Sequence, residues 1–239
     1  GLKIIGMISA SISKKLAKAK VDTSLQPFLV SVIKISLQVM LVISIASMIG
    51  IEMTSFIAVI GAVSFAVGLA LQGSLANFAG GVLILLLKPF NVGDYVEAAG
   101  YAGTVKEIQV FYTVLHTPDN KRIIIPNANL SNSSTINYSS NPTRRIDFTF
   151  GVGYQDDVAK VKSVLKRITE SNPLILHDPP MQIMLAEHGD NAVIYYLRVW
   201  CERDNYWSIY WDIQEKAKLE FDKEGINIPY PQLDVHMIK

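Results

Sequence analysis

The stretch MTSFIAVIGAVSFAVGLALQGSLANFAGGVLILLL, residues 53–87, determines how the rest of the sequence is interpreted. It contains no charged residue and is longer than the about 20 residues that a helix needs to cross a bilayer. At about 100° per residue, Phe65 and Leu69 lie on one narrow ridge of such a helix. Small residues border this ridge on both sides: Ala62, Ala66 and Gly73 on one flank, and Gly61, Ser64 and Gly68 on the other. The stretch therefore predicts a membrane helix with a bulky ridge between two different small-residue flanks.

Small residues in a membrane helix allow the backbones of neighbouring helices to approach closely. Two unlike flanks predict that the alanine side of one copy packs on the glycine side of the next, and such a contact can close into a ring. Phe65 and Leu69 would then face the ring axis, where a narrow apolar tube excludes water and blocks ions. The alternative is that the small residues pack only against other helices of the same subunit. The helical wheel leaves both interpretations open.

A second apolar run, residues 25–51, is also long enough to span a bilayer, and Lys34 is its only charge. Lys34 either snorkels to the interface or contacts lipid in a tension-dependent way. Residues 4–13 are apolar but too few to span, and they are interpreted as the tail of a truncated helix. Because the chain begins with Gly1, a preceding segment is expected.

Charge gives the expected orientation of these helices. Residues 1–88 carry a net charge of +5 and residues 89–239 a net charge of −4. Lysines that cluster in a short loop, here Lys14, Lys15, Lys18 and Lys20 between the truncated helix and the first full one, mark the cytoplasmic side. The 53–87 helix then runs inward and ends at Lys88, so the mixed, polar remainder of the chain is predicted to lie in the cytoplasm.

The polar remainder predicts two small folds. Short strands with turn signals in residues 89–136, including one from Val105 to Thr117, indicate a β domain. Residues 144–237 predict a β-α-β-β-α-β order whose last strand contains Val235, and residues 137–229 are assigned to a ferredoxin-like α+β domain. Asp156 or Asp157 can cap its first helix, and Gly225 can end its second. Residues 230–239 are expected to form a last strand that pairs with neighbouring subunits.

The combined pattern of IGAVSFAVGLALQGSLANFAGGVLILLLKPFNVGDYV (60–96), IIIPN (123–127) and IPYPQLDV (228–235) resembles the small-conductance mechanosensitive channel (MscS) family. The resemblance implies a tension-gated homoheptamer in a bacterial or archaeal cytoplasmic (inner) membrane, with three membrane helices per subunit, the first truncated here. It also implies a cytoplasmic cage made of an Sm-like β barrel, the ferredoxin-like domain and a small C-terminal barrel. Its partners would be other copies of itself, membrane lipids, and the ions and osmolytes released after hypo-osmotic shock.

The resemblance also assigns roles to individual positions. Phe65 and Leu69 match the pore seal, and Gly73 and Gly81 match the kink, or hinge, glycines. The packing positions of the family match Ala58, Gly61, Ala62, Ala66 and Gly68. Phe65 departs from the leucine of the family seal, and Ser64 from a packing glycine. Independently, the glycines after Leu71 predict two helical halves, 53–72 and about 74–87.

Other classes of function find little support in the sequence. The single cysteine, Cys201, excludes a disulfide scaffold and a four-thiolate zinc site, and no metal or cofactor is expected. A net charge of +1 argues against a nucleic-acid binder. Because no acid, base and nucleophile form a recognisable set, an enzyme is not expected. The competing hypothesis is a membrane-anchored ligand-binding or signalling module without a conducting pore.

Overall fold

The computed structural model describes residues 1–19, 25–233 and 235. The chain divides into two compact units, Gly1–Leu75 and Ala76–Lys239. The N-terminal unit holds two whole helices and most of a third: α1 (Leu2–Lys18), α2 (Leu25–Met48) and α3 (Thr54–Leu87). The division falls inside α3, so this helix belongs partly to each unit.

Helix α1 packs against α2 within the N-terminal unit. Ile5 and Ser9 of α1 are buried, and a Cβ atom on Gly1 would lie only 2.5 Å from a methyl carbon of Leu41. Helix α1 is longer than the predicted tail at 4–13. Both apolar runs are helices, with mean hydropathies of 2.3 for α2 and 2.2 for α3, and each is long and apolar enough to cross a membrane.

Helix α3 is too long for the hydrocarbon core alone. Its 34 residues extend about 51 Å at 1.5 Å each, whereas that core is about 30 Å thick. The part in the N-terminal unit, Thr54 to Leu75, is about 33 Å long, which matches one bilayer crossing. The helix is continuous through Gly73 and Gly81, so the two halves predicted around Gly73 form one uninterrupted helix. It ends at Leu87, and the next residue, Lys88, has a positive φ of 48° just before Pro89.

The C-terminal unit begins with a five-stranded antiparallel sheet, as the sequence predicts for a β domain. The elements are β1 (Tyr95–Ala98), β2 (Tyr101–Ile108), β3 (Tyr112–His116), β4 (Arg122–Pro126), a short helix α4 (Asn127–Ser131) and β5 (Thr135–Asn137). The strands stand in the order β4-β3-β2-β1-β5, and strand β5 pairs with β1 across the predicted boundary at residue 136. Val96, Val105 and Leu115 lie in the core of this domain.

The structure corrects the single strand predicted from Val105 to Thr117. The chain turns at residues 109–111 and forms the hairpin of β2 and β3. The Gln109 N–H donates to the Tyr112 carbonyl at 2.8 Å and closes the turn. The run of strand-forming residues gave no signal for this turn, because the groups that stabilise it lie elsewhere in the chain.

The α+β domain has the predicted strand, helix, two longer strands and second helix in that order, with an additional two-residue strand after the first helix and no strand after the second among the described residues. The elements are β6 (Thr143–Val152), α5 (Val158–Glu170), β7 (Ile175–Leu176), β8 (Gln182–His188), β9 (Val193–Glu202), a 3₁₀ turn (Arg203–Asn205) and α6 (Tyr206–Glu224). Strand β9 pairs antiparallel with β6 on one side and with β7 and β8 on the other. Phe148, Leu197 and Ile213 are among the buried residues that pack α5 and α6 onto this sheet.

The predicted ends of the two helices are confirmed. The Asp157 carboxylate accepts the Lys160 N–H at 2.7 Å, so it caps α5. Asp156 instead accepts the N–H groups of Gly153 (2.9 Å) and Asn227 (3.1 Å), which holds the segment after α6 against the domain. Gly225 ends α6 in the left-handed conformation, with φ 67°.

The predicted C-terminal strand, residues 230–239, falls largely outside the described residues. Of the described part, Tyr230 to Leu233 and Val235 are in no strand. Pairing with neighbouring subunits therefore stays a prediction.

An ion cluster joins α5 to α6 on the surface. Arg167 contacts Glu220 at 2.8 Å and Glu224 at 2.7 Å. The hydrogen bond from Arg167 holds the pKa of each carboxyl below its ordinary value of 4.5. A lowered carboxyl pKa stabilises the folded state above the unfolded pKa, and this stabilisation is lost as the pH falls through the folded value.

We expect Arg167→Gln to reduce the acid sensitivity of the protein. Without the guanidinium, less stability depends on the ionised carboxylates, so the fall in unfolding temperature between pH 7 and about pH 3.5 should be smaller than in the wild type. Thermal unfolding in detergent at the two pH values measures this. Lys166→Gln, which removes the exposed pair with Glu170, is the control and should leave the fall unchanged. An equal fall in all three proteins would contradict the assignment.

Candidate pore helix and its attachment to the β domain

The side chains of the two predicted seal residues are exposed in the single chain. Phe65 and Leu69 are 69% and 56% exposed. Because α3 is helical here, these residues, four apart, lie on the same face. The residues of the far side, Val63 and Val67 among them, are also exposed at 57% and 52%. This part of α3 therefore presents every side to lipid or to other chains.

The predicted packing residues are equally open. All six are exposed: Ala58, Gly61, Ala62, Ser64, Ala66 and Gly68. A Cβ atom added to Gly61 or Gly68 would meet no atom of a neighbouring element within 4 Å. Among the described residues, no other helix of the same subunit covers the glycine flank. The intrasubunit alternative therefore has no supporting contact at these two glycines.

The lysines assigned to lipid or interface contacts are all on the surface. Lys14 and Lys15 are exposed in the last turns of α1, Lys34 is exposed on α2, and Lys88 is exposed just beyond α3. Exposure is compatible with a lipid contact, and the contact itself stays a prediction.

The last turns of α3 differ, because they are attached to the β domain within the C-terminal unit. The Asn77 side-chain oxygen accepts the Ala128 N–H at 2.9 Å. Ile84 is only 2% exposed and packs in the β-domain core with Phe90 and Leu130. One polar and one apolar contact thus hold the same stretch of helix.

Glycine allows this attachment to be close. A Cβ atom on Gly80 would lie 2.8 Å from the Asn127 backbone, and one on Gly81 would lie 2.5 Å from the Asn127 side-chain nitrogen and 2.9 Å from the Val110 oxygen. Side-chain carbons essentially never approach backbone atoms so closely, so any larger residue would move the helix away. Gly81, predicted as a hinge, has a packing role here that the sequence did not indicate; its role as a hinge stays a prediction.

Asn127 is the centre of the contact. Its buried amide oxygen accepts the Thr113 hydroxyl at 2.8 Å, and its amide nitrogen donates to the carbonyls of Gln109 at 2.8 Å and Val110 at 3.2 Å. Its N–H donates to the Phe111 carbonyl at 3.0 Å. One side chain thereby fixes the 109–111 turn, the start of α4 and the surface on which α3 rests.

The sequence indicates no particular role for Asn127, the last residue of IIIPN. The available signal was a polar residue directly after an apolar strand, which is also common in ordinary turns. The partners of Asn127 lie 14 to 18 residues earlier in the chain, so spacing alone could not reveal them.

We expect Gly81→Ala to destabilise the attachment. The added methyl group would overlap Asn127 and Val110, and overpacking of this kind costs about 1–3 kcal/mol. Faster proteolysis at the end of α3 and a lower unfolding temperature would show it. Gly68→Ala, at a glycine with open space, is the matched control and should change neither measurement. Equal behaviour of the two variants would rule out the close contact.

We expect Asn127→Ala to cost about 2–4 kcal/mol, because it leaves buried partners without their hydrogen bonds. Thr113→Val removes only one of these bonds and should cost less. Thermal unfolding of both variants in the same detergent gives the comparison. If Thr113→Val were as damaging as Asn127→Ala, the central role of Asn127 would be wrong.

Comparison with known proteins agrees with this geometry. Residues 73–140 match the family described as "Mechanosensitive ion channel, beta-domain", and residues 146–228 match "Mechanosensitive ion channel MscS, C-terminal". An uncharacterized MscS family protein of Buchnera aphidicola (subsp. Schizaphis graminum) is 39% identical over the whole chain, which spans 84% of that protein. A small-conductance mechanosensitive channel of Helicobacter pylori is 32% identical over 91% of the chain and 80% of its own length.

The fold is similar to that of a solved channel. The crystal structure of Helicobacter pylori MscS in a closed state superposes with a TM-score of 0.90 at 30% identity, covering 100% of this chain and 95% of that one. Apolar helices, β domain and α+β domain thus recur in the same chain order as in a mechanosensitive channel. The chain belongs to the MscS family of mechanosensitive ion channels.

Proposed function

We propose that copies of this chain, seven by resemblance to the family, surround one pore in the cytoplasmic (inner) membrane, and that the Phe65 and Leu69 side chains form its seal. The proposal rests on the exposed ridge of α3 that Phe65 and Leu69 form. It projects between two small-residue flanks that no other described helix of the same chain covers. A neighbouring copy that packs alanine flank on glycine flank would bury both flanks and leave the ridge facing the axis.

The seal works by excluding water. Rings of aromatic and aliphatic side chains at a narrow point offer no hydrogen bonds to water or hydrated ions, so the constriction dries and conduction stops. Phe65 is wider and flatter than the leucine that the family pattern has at this position. The upper ring of this seal is therefore aromatic, and its closed diameter depends on how the rings of neighbouring copies stack.

Tension opens the pore by favouring the state with the larger area in the membrane plane. In the proposed transition the α3 helices tilt and slide along their small flanks, and Phe65 and Leu69 leave the axis. Ser64 replaces a small packing residue without adding much volume, so sliding stays possible. Ions and small osmolytes then leave the cell after hypo-osmotic shock.

The proposed orientation places the C-terminal unit in the cytoplasm. Lys14, Lys15 and Lys88 are exposed and would face anionic lipid headgroups on that side, where basic residues are favoured. Lys34 is proposed to reach lipid from α2 through its long side chain. The proposal assigns the protein a transport function and no catalytic reaction.

We expect Phe65→Ser and Leu69→Ser each to lower the membrane tension needed for opening. A hydroxyl group in the constriction wets it, so less work is needed to fill the pore. Patch recordings from liposomes that contain the purified protein measure the threshold, which should fall by at least one fifth.

Val67→Ser is the matched control, because it makes the same kind of change on the far side of α3 with similar exposure. Its threshold should stay within error of the wild type. Unchanged thresholds for both seal variants would refute the ridge assignment. No tension-activated current in any variant would favour the membrane-anchored module without a pore.

A further inference from the structure

A cleft of about 830 Å³ lies in the C-terminal unit, away from the proposed pore helix. Its wall combines residues from β1, from the segment after β5 and from the start of α6; Glu97, Tyr138, Arg144, Arg203, Trp207 and Trp211 are the ones used below. This volume is within the range of about 300–1,000 Å³ that is typical of small-molecule sites. None of these side chains has a role in the channel function proposed above.

Arg144 supplies an unused positive charge in this cleft. Its guanidinium carbon lies 3.9 Å from the centre of the Tyr206 ring and 4.8 Å from that of Tyr138. Stacking of this kind fixes the guanidinium plane and leaves its N–H groups free at the edge. Among the described residues, Arg144 has no carboxylate or carbonyl partner for these groups, so a bound anion could accept them.

The other charges of the cleft are already engaged. Arg203 donates to Asp204 at 2.9 Å and to the Ser139 carbonyl at 2.7 Å. The Glu97 carboxylate accepts the Tyr138 hydroxyl at 2.8 Å. The two acids and the two arginines of the cleft sum to zero formal charge, and Glu97 keeps its charge in its hydrogen bond with Tyr138. Among the described residues, Arg144 is the arginine of this cleft that donates to no carboxylate or carbonyl.

Two tryptophans supply a flat apolar surface beside these charges. Trp207 and Trp211 are one helical turn apart on α6, and their rings stack with centroids 5.8 Å apart at 19°. They are nevertheless 59% and 61% exposed. Side chains of this size are costly to leave in water, and exposed indole faces stack well on planar heteroaromatic rings.

We propose that this cleft binds a nucleotide, whose base stacks on the Trp207–Trp211 surface and whose phosphate is bound by Arg144. Glu97 and Asp204 would accept hydrogen bonds from ribose hydroxyls or an exocyclic amine. A second copy of the chain is the competing occupant. Interfaces between protein copies are enriched in aromatic residues and arginine but depleted of Asp and Glu. Because Glu97 and Asp204 also line this cleft, we favour the small ligand.

The test uses the full-length protein in lipid nanodiscs with AMP, adenosine and ribose 5-phosphate as probes. Equilibrium dialysis with labelled AMP, together with quenching of tryptophan fluorescence, should show saturable AMP binding. Adenosine lacks the anion and ribose 5-phosphate lacks the ring, so each should bind at least tenfold more weakly. Absence of saturable AMP binding up to millimolar concentration, or equally tight binding of either fragment, would overturn the proposal.

Variants locate the site. Arg144→Gln and Trp207→Leu should each weaken AMP binding at least tenfold. Arg145→Gln is the control, because the adjacent Arg145 pairs with Asp147 and does not line the cleft; it should leave AMP binding unchanged. If Arg144→Gln fails to fold, Trp207→Leu alone decides, since it changes an exposed side chain.

The oligomeric state separates the two occupants. AMP binding that Trp207→Leu leaves unchanged, or a Trp207→Leu variant that dissociates into smaller assemblies, would assign this face to a second copy and overturn the nucleotide site. The measurement is independent of conduction, so a protein that binds AMP without conducting, or conducts without binding AMP, tests this inference separately from the proposed function.

Discussion

The close approach between the last turns of α3 and Asn127 is the constraint on which the rest of the structure depends. Gly80 and Gly81 bring the helix to within contact of the Asn127 backbone and side chain, and Ile84 continues the same surface into the β-domain core. Asn127 in turn fixes the turn between β2 and β3. Helix α3 has no interruption between Thr54 and Leu87, so the attached turns and the exposed part belong to one continuous helix.

The two parts of α3 therefore differ in how far the rest of the chain covers them. The last turns are satisfied within the chain, by glycine packing and by hydrogen bonds to a buried asparagine. In the part before Ala76, by contrast, every residue from Thr54 to Leu75 is exposed. An apolar helix that is bare on all sides is stable only in lipid or against other copies. The last turns of α3 thus pack within their own subunit, whereas the first part is expected to contact lipid or other copies of the chain.

Local signals predicted much of the fold because they act over short distances. The Asp157 cap and the left-handed Gly225 depend on neighbouring residues, so the ends of α5 and α6 could be read from the sequence. The turn at 109–111 could not, because the groups that bind it come from Asn127. The packing role of Gly81 could not be predicted either. The sequence shows only a glycine within a helix, because the atoms that leave no room for a methyl group there lie on another element. Phe65 and Leu69 could be placed on one face of the helix from their spacing, and their assignment to a pore seal stays a prediction.

The attachment of α3 also bears on how tension could reach the C-terminal unit. In the proposed opening, the first part of α3 tilts while its last turns stay against Asn127. The bend that this requires must fall between the bare part and the attached part, a segment that contains Gly73 and Asn77. Gly73 lowers the helix stability there, whereas Gly81 is pressed against the β domain and has no room to act as a hinge without breaking that contact. The geometry thus distinguishes the two glycines that the sequence treated alike. A Cβ atom on Gly73 would meet no atom of another element within 4 Å, whereas one on Gly81 would overlap Asn127 and Val110; the role of each as a hinge stays a prediction.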